Sequence, residues 1–96
     1  MILNNNTINC IQPDSFRNLS NLTDLYLDGN NLTKLNKNIF DGLGFLQKLS
    51  LSNNQIDRVE NFGKFGGSGL ENLIYLNLNE NKITKIESNS FKGKFL

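Results

Sequence analysis

Aliphatic residues recur along the chain in a pattern that repeats at a nearly fixed interval. The pattern reads L-x-x-L-x-L-x-x-N-x-L-x-x-L, and it begins at Leu22, again at Leu46 and again at Leu73. Extending the register backward places Met1 and Leu3 in a further, incomplete copy. A fixed period of this length is typical of repeat architectures, in which each copy stacks on its neighbours. We therefore predict a single array with a partial repeat at 1–21 and full repeats at 22–45, 46–72 and 73–96.

Each copy contains a short alternation of apolar and polar residues. In Leu25-Tyr26-Leu27 the period of two directs both leucines to one side and the tyrosine to the other, as in a strand with one buried face. Equivalent strands would lie side by side and parallel, and the rest of each copy provides the return path that parallel pairing requires. The return paths contain no Ala and carry scattered Gly, Asn and Ser, which favours irregular or 3₁₀ segments over full helices.

The return paths carry their own apolar column and one break in the repeat. Leu32, Leu35, Phe40 and Leu43 should point back into the core shared with the strands. Phe16 and Phe91 occupy the same column as Phe40. In the copy 46–72 either Phe62 or Phe65 fills this column, and we favour Phe65. That copy has three extra residues and a glycine-rich stretch, 62–69, which we expect to be a flexible loop on the outer side.

The composition agrees with repetition, because sixteen Leu and eighteen Asn stand among 96 residues and Ala is absent. With its L-x-x-L-x-L-x-x-N-x-L signature the chain resembles the leucine-rich repeat family. The 24-residue copy with its Phe is similar to the typical subfamily of Toll-like receptor ectodomains and secreted matrix proteins. The resemblance implies an α/β solenoid, a horseshoe segment with short parallel strands on the concave side and an irregular or 3₁₀ convex side. It also implies an extracellular or cell-surface location.

Counting residues excludes several kinds of chemistry. The chain has no His and one Cys, so most zinc sites and His-dependent catalytic triads cannot be assembled from it. The net charge of +1 lacks the basic excess that nucleic acid binding requires. No stretch is long and apolar enough to span a bilayer, so we expect no membrane contact from this segment. We predict that the chain is not an enzyme and that it uses no metal and no cofactor.

Two polar features have structural explanations. The column Asn6, Asn30, Asn54 and Asn81 follows each strand, where a side-chain amide can satisfy buried backbone groups of neighbouring turns, so we expect a stabilising ladder. Cys10 falls in a column otherwise held by basic residues and should be exposed. It is either a tolerated surface cysteine or the partner of a disulfide to an N-terminal cap or another chain.

The outward positions of the strands are free to vary without loss of the fold, so they are the candidate binding surface. They combine polar groups of mixed charge with two tyrosines, which can anchor a protein or a glycan. Neighbouring copies should bring these positions into rows, with Asp24 beside Lys48. The candidate ligand-binding residues are Asp24, Tyr26, Asp28, Lys48, Ser50, Ser52, Tyr75, Asn77 and Asn79.

Four N-x-[ST] sequons begin at asparagines in columns that we expect to be exposed. Composition alone predicts roughly two such sequons, so the excess is mild and adds modest support to an extracellular setting. The glycosylation candidates are Asn5, Asn18, Asn21 and Asn31.

The pattern favours a non-enzymatic binding module of an extracellular receptor or adhesion protein, with a protein or glycan ligand on the concave sheet. The alternative is a set of structural spacer repeats that fixes the curvature of a larger array. In either case neither end resembles a cap, and we expect flanking repeats and caps in the parent chain.

Overall fold

Six short strands occur in the residues that the computed structural model describes, which are 1–12, 15–35, 39–59, 70 and 72–86. The first, third and fifth strands of the chain lie side by side in one parallel sheet. Within the described residues there is no helix. The strands in chain order are β1 Asp24–Tyr26, β2 Lys34–Leu35, β3 Lys48–Ser50, β4 Arg58–Val59, β5 Tyr75–Asn77 and β6 Lys85–Ile86.

The register of the first sheet is the one that the repeat alignment predicts. Asp24 pairs with Lys48, and Lys48 pairs with Tyr75, so equivalent positions of successive copies lie side by side. The incomplete first copy continues the sheet, because Ile2 forms a parallel bridge with Tyr26. The parallel sheet that the sequence predicts is therefore confirmed, including its extension into the partial repeat.

A second parallel sheet, in the order β2-β4-β6, was not predicted from the sequence. It pairs Lys34 with Arg58 and Arg58 with Lys85. Each of its strands is two residues long, too short for an alternation of apolar and polar residues to be recognised. The pairing arises because each return-path strand begins ten residues after the start of the first-sheet strand of its copy, so equivalent segments reach the same height and their backbone groups can bond.

The core lies between the first sheet and the return paths. Leu25 and Leu27 of the first full repeat are fully buried, while Tyr26 between them is half-buried on the other face. The return path buries Leu32, Leu35, Phe40 and Leu43 against them, as the repeat pattern predicts. The remaining buried apolar residues are Phe16, Ile39, Leu46, Leu49, Leu51, Ile56, Leu70 and Leu73.

The convex side consists of successive turns. The N–H of Leu43 donates to the carbonyl of Phe40, and that of Leu46 donates to the carbonyl of Leu43, so two bonds of 3₁₀ spacing follow each other without forming a continuous helix. The same pair of bonds occurs one copy earlier, after Phe16. Phe16 and Phe40 stack with their ring centroids 6.1 Å apart and their planes 15° from parallel. Phe65, Phe91 and the 62–69 loop lie outside the described residues.

Gly42 packs directly against the preceding copy. Its φ is +93°, a conformation that glycine adopts without the cost that a side chain brings. A Cβ atom placed on it would lie 2.6 Å from the Cα of Arg17, which is backbone and cannot turn aside. The position therefore requires glycine for two separate reasons.

We predict that Gly42→Ala lowers the free energy of unfolding by about 2 to 4 kcal/mol, because it combines an unfavourable φ with overpacking against backbone. Gly44→Ala is the matched control, since a Cβ there meets no atom within 4 Å, and it should change stability by less than about 0.5 kcal/mol. Urea unfolding followed by circular dichroism measures both. Equal effects of the two substitutions would contradict the close approach at Gly42.

Candidate functional site

The first sheet exposes two rows of side chains across the copies. In the row Asp24, Lys48 and Tyr75, the aspartate is half-buried, the lysine is exposed and the tyrosine is 47% exposed. In the neighbouring row, Tyr26 is half-buried and Ser50 is only 3% exposed. The face is therefore uneven, with its accessible side chains concentrated at the row of Lys48 and Tyr75.

Asp28 explains part of this unevenness. Its Oδ1 atom accepts a hydrogen bond of 2.6 Å from the Ser50 hydroxyl and one of 2.8 Å from the backbone N–H of Ser52. Two of the candidate binding residues are thus held by a third across the junction between two copies. A carboxylate that accepts two such bonds is positioned by the fold.

The strand exits need these bonds because alternate N–H groups in a parallel sheet point to different neighbours. The N–H groups of Leu27 and Gly29 donate to the following copy, whereas that of Asp28 points back and donates to Oδ1 of Asn4 at 2.7 Å. Ser52 repeats the arrangement with Asp28 one copy later. The expectation that outward positions have no role in the fold is therefore wrong at Asp28, whose side chain joins adjacent copies.

At Asn30, Asn54 and Asn81 the asparagine column forms the ladder that the sequence predicts, whereas Asn6 bonds only within its own copy. Asn54 donates through Nδ2 to the carbonyl of Leu51 in its own copy and to that of Leu27 in the preceding one, and its Oδ1 accepts from the N–H of Leu32. Asn30 and Asn81 make equivalent sets of bonds. The column serves stability, and its members face the backbone of the turns.

A left-handed backbone conformation also recurs at one position in every described copy. Asn5, Gly29, Asn53 and Glu80 all have positive φ, between +58° and +71°. Gly and Asn tolerate this conformation readily, whereas Glu does so less well. Sequence comparison of the copies shows the column but not its shared backbone geometry, because Glu80 breaks the residue pattern. In the sequence, the Gly and Asn residues of this column are the signal that indicates a left-handed backbone.

The remaining sequence candidates lie on the outside. All four sequon asparagines are exposed, as predicted, and so is Cys10. Among the described residues no group of three acidic, Cys or His residues could hold a metal ion. A search of that same part of the chain finds no helix long and apolar enough to cross a membrane.

We predict that Asn54→Ala lowers the free energy of unfolding by about 2 to 4 kcal/mol. The substitution leaves the buried N–H of Leu32 and the carbonyl of Leu27 without this partner, and unsatisfied buried groups are costly. Gln55→Ala, at the exposed neighbouring position, is the control and should cost less than about 0.5 kcal/mol. Chemical denaturation measures the free energy of unfolding of both variants. A loss at Asn54 no larger than that of the control would show that the ladder does not contribute to stability.

A second prediction concerns Asp28. Asp28→Ala removes the acceptor of two bonds and should destabilise the chain by about 2 kcal/mol, whereas Asp28→Asn keeps an Oδ1 acceptor and should retain most of that stability. The exposed Asp57→Ala controls for loss of a carboxylate alone. Thermal and urea unfolding compare the three variants. If Asn proves as damaging as Ala, the bonds to Ser50 and Ser52 do not carry the effect.

Comparison with known proteins agrees with this geometry. A family profile described as "Leucine rich repeat" matches residues 1–56, and one described as "Leucine Rich repeats (2 copies)" matches residues 45–91. Mouse podocan is 38% identical over 89 residues, which cover 90% of this chain and 13% of podocan. Chicken lumican is 40% identical over 65 residues, or 68% of this chain and 18% of lumican.

A receptor is also among the similar proteins. Toll-like receptor 3 of Boselaphus tragocamelus is 39% identical over 85 residues, which cover 84% of this chain and 9% of the receptor. The chain thus spans less than a fifth of the length of each of these relatives. The chain belongs to the leucine-rich repeat family, because two family profiles match it, its leucines recur at the family's spacing and its parallel strands stack copy on copy.

Proposed function

We propose that the chain is a non-enzymatic binding module of an extracellular receptor or adhesion protein, and that it recognises a protein or glycan through the first sheet. The observation that carries the proposal is the register, which sets Asp24, Lys48 and Tyr75 in one continuous row. Side chains from three copies can then lose water together against one partner, although they are up to 51 residues apart in sequence.

The composition of the accessible surface supports such a role. Lys48 and Tyr75 are exposed, and Tyr26 contributes a half-buried ring one row away. Ile74 is 71% exposed immediately before Tyr75. A tyrosine presents a rigid apolar ring and a hydroxyl at small entropic cost, and interfaces are enriched in it for that reason.

The bonds at Asp28 divide the candidate residues into two groups. Asp28, Ser50 and Ser52 are engaged within the fold, so a partner that used them would first have to displace existing bonds. Lys48, Tyr75 and Asn79 are exposed. We assign direct recognition to the accessible group with Asp24, Tyr26 and Asn77, and assign to the engaged group the positioning of the surface.

The extracellular setting draws on the relatives and on the sequons. Toll-like receptor 3 is a receptor by name. The four exposed sequon asparagines are accessible for N-glycosylation, which occurs in the secretory pathway. The competing function, a spacer that sets the curvature of a larger array, needs the same core but places no demand on the exposed row.

A crosslinking experiment separates the two functions. A photoreactive amino acid is placed at Lys48 or at Tyr75 in the full-length polypeptide on living cells, with the exposed Lys34 of the second sheet as the control position. A binding module should give a discrete crosslinked partner from the first-sheet positions and not from Lys34. A spacer would give the same background at all three positions.

The partner so identified then permits a quantitative test. Replacing Tyr26, Lys48 and Tyr75 together with Ala should weaken its affinity about 100-fold or more, as expected when central anchors of an interface are removed. The unfolding midpoint should change little, because none of the three side chains is buried. Unaltered affinity of a folded triple variant, measured by surface plasmon resonance, would reject recognition through the first sheet.

A further inference from the structure

Phe45 is an aromatic side chain in an unusual place. It is 60% exposed, although the neighbouring Leu46 and Leu43 are fully buried. The equivalent position in the other described copies is polar, Asn21 before it and Asn72 after it. A phenyl ring in water lacks the stabilisation that burial provides, and exposed apolar surface often marks a place where another group binds.

The register brings Asn21 beside Phe45. The backbone N–H groups of Gln47 and Lys48 both donate to the carbonyl of Thr23, at 2.7 and 3.0 Å, which aligns the two copies just beyond this position. One copy later, at the position equivalent to Asn21 and Phe45, the side-chain amide of Asn72 donates to the carbonyl of Gly44 at 2.7 Å. A side chain at this position can therefore contact the turn of the preceding copy. By this register Asn21 and Phe45 occupy equivalent positions of adjacent copies at the edge where the strands begin.

Asn21 is also a chemically suitable acceptor for an N-linked glycan. It opens the sequon Asn21-Leu22-Thr23, in which Asn21 and Thr23 are exposed while Leu22 packs against the core. The amide and the hydroxyl that the modification requires therefore both lie on the outside.

The other three sequons lack an aromatic neighbour in the next copy. The counterpart of Asn5 is Gly29, that of Asn18 is Gly42, and that of Asn31 is Gln55. The side chain of Asn5 additionally lies against Gly29. Among the described residues, Asn21 is the one sequon asparagine whose counterpart in the next copy is an exposed aromatic residue.

We propose that Asn21 carries an N-linked glycan whose first N-acetylglucosamine packs on the ring of Phe45. The donor is a lipid-pyrophosphate-linked oligosaccharide. A bond forms between Nδ2 of Asn21 and the anomeric carbon, and the carbon–oxygen bond to the pyrophosphate breaks. The lipid pyrophosphate leaves with the electron pair of that bond, and the proton lost from the amide passes to solvent. The C–H face of the sugar then covers the phenyl ring and removes apolar surface from water.

The proposal rests on the extracellular setting proposed above, and its test is made independent of that setting. The full-length polypeptide is produced in mammalian cells behind a supplied signal peptide, with glycan processing blocked so that every glycan remains of the high-mannose type. Peptide mass spectrometry then reports occupancy at each sequon. Asn21 should be occupied, and Thr23→Ala should abolish its occupancy while Thr23→Ser retains it. An unmodified Asn21 in the secreted protein would overturn the proposal and leave the binding function untouched.

Contact with Phe45 needs a separate measurement. Endoglycosidase H leaves one N-acetylglucosamine on each modified asparagine, and the unfolding midpoint of this form is compared with that of Asn21→Gln treated in the same way. With Phe45 present, loss of the sugar should lower the midpoint by about 2 °C, because the ring becomes exposed again and a long polypeptide shifts less for the same free energy. In a Phe45→Ala background the difference should vanish.

Asn31→Gln is the matched control, since its lateral neighbour is the polar Gln55. Its effect on the midpoint should be the same with Phe45 and with Ala at that position. Thr23→Ala serves as a second sugar-free variant that keeps the Asn21 side chain. A loss of stability at Asn21 that is equal in the two backgrounds would show that the sugar does not lie on the ring.

Discussion

The structure depends on one interaction, the asparagine side chain that joins a copy to the one before it at Asn30, Asn54 and Asn81. In Asn54 a single amide satisfies backbone groups of two turns, with bonds of 3.0 to 3.1 Å to Leu51, Leu27 and Leu32. Without helices or long strands in the described residues, few other groups could satisfy these buried N–H and carbonyl groups. The amide suits this place because it both donates and accepts. The side chain thereby fixes the distance between successive turns.

Regular stacking has consequences on both sides of the solenoid. On the first sheet it aligns Asp24 with Lys48 and Tyr75 and creates the row that we propose for recognition. On the return path it brings two-residue segments together as a second sheet and places Gly42 against the backbone of Arg17. Small departures at one position therefore affect the neighbouring copy, which explains the large effects predicted for Gly42→Ala and Asn54→Ala.

Stability and recognition share the sheet unequally. Asp28 is turned toward the strand exits and holds Ser50 and the backbone of Ser52, so the surface has a fixed edge next to an accessible row. Binding to a surface that is already fixed costs less entropy than binding to one whose side chains must first be ordered. The exposed Phe45 lies at the opposite edge of the sheet, where the strands begin. A glycan on Asn21 would border the recognition row on that side.

The sequence by itself determined the period, the inward leucines, the asparagine ladder and the exposure of the sequons. These features follow from spacing, because each residue has the same environment in every copy. Only the tertiary structure decided which outward residues are accessible, since the burial of Ser50 depends on where Asp28 points. It also decided the second sheet and the close approach at Gly42. All three are relations between adjacent copies, and they depend on distances and side-chain directions that a one-dimensional pattern does not contain.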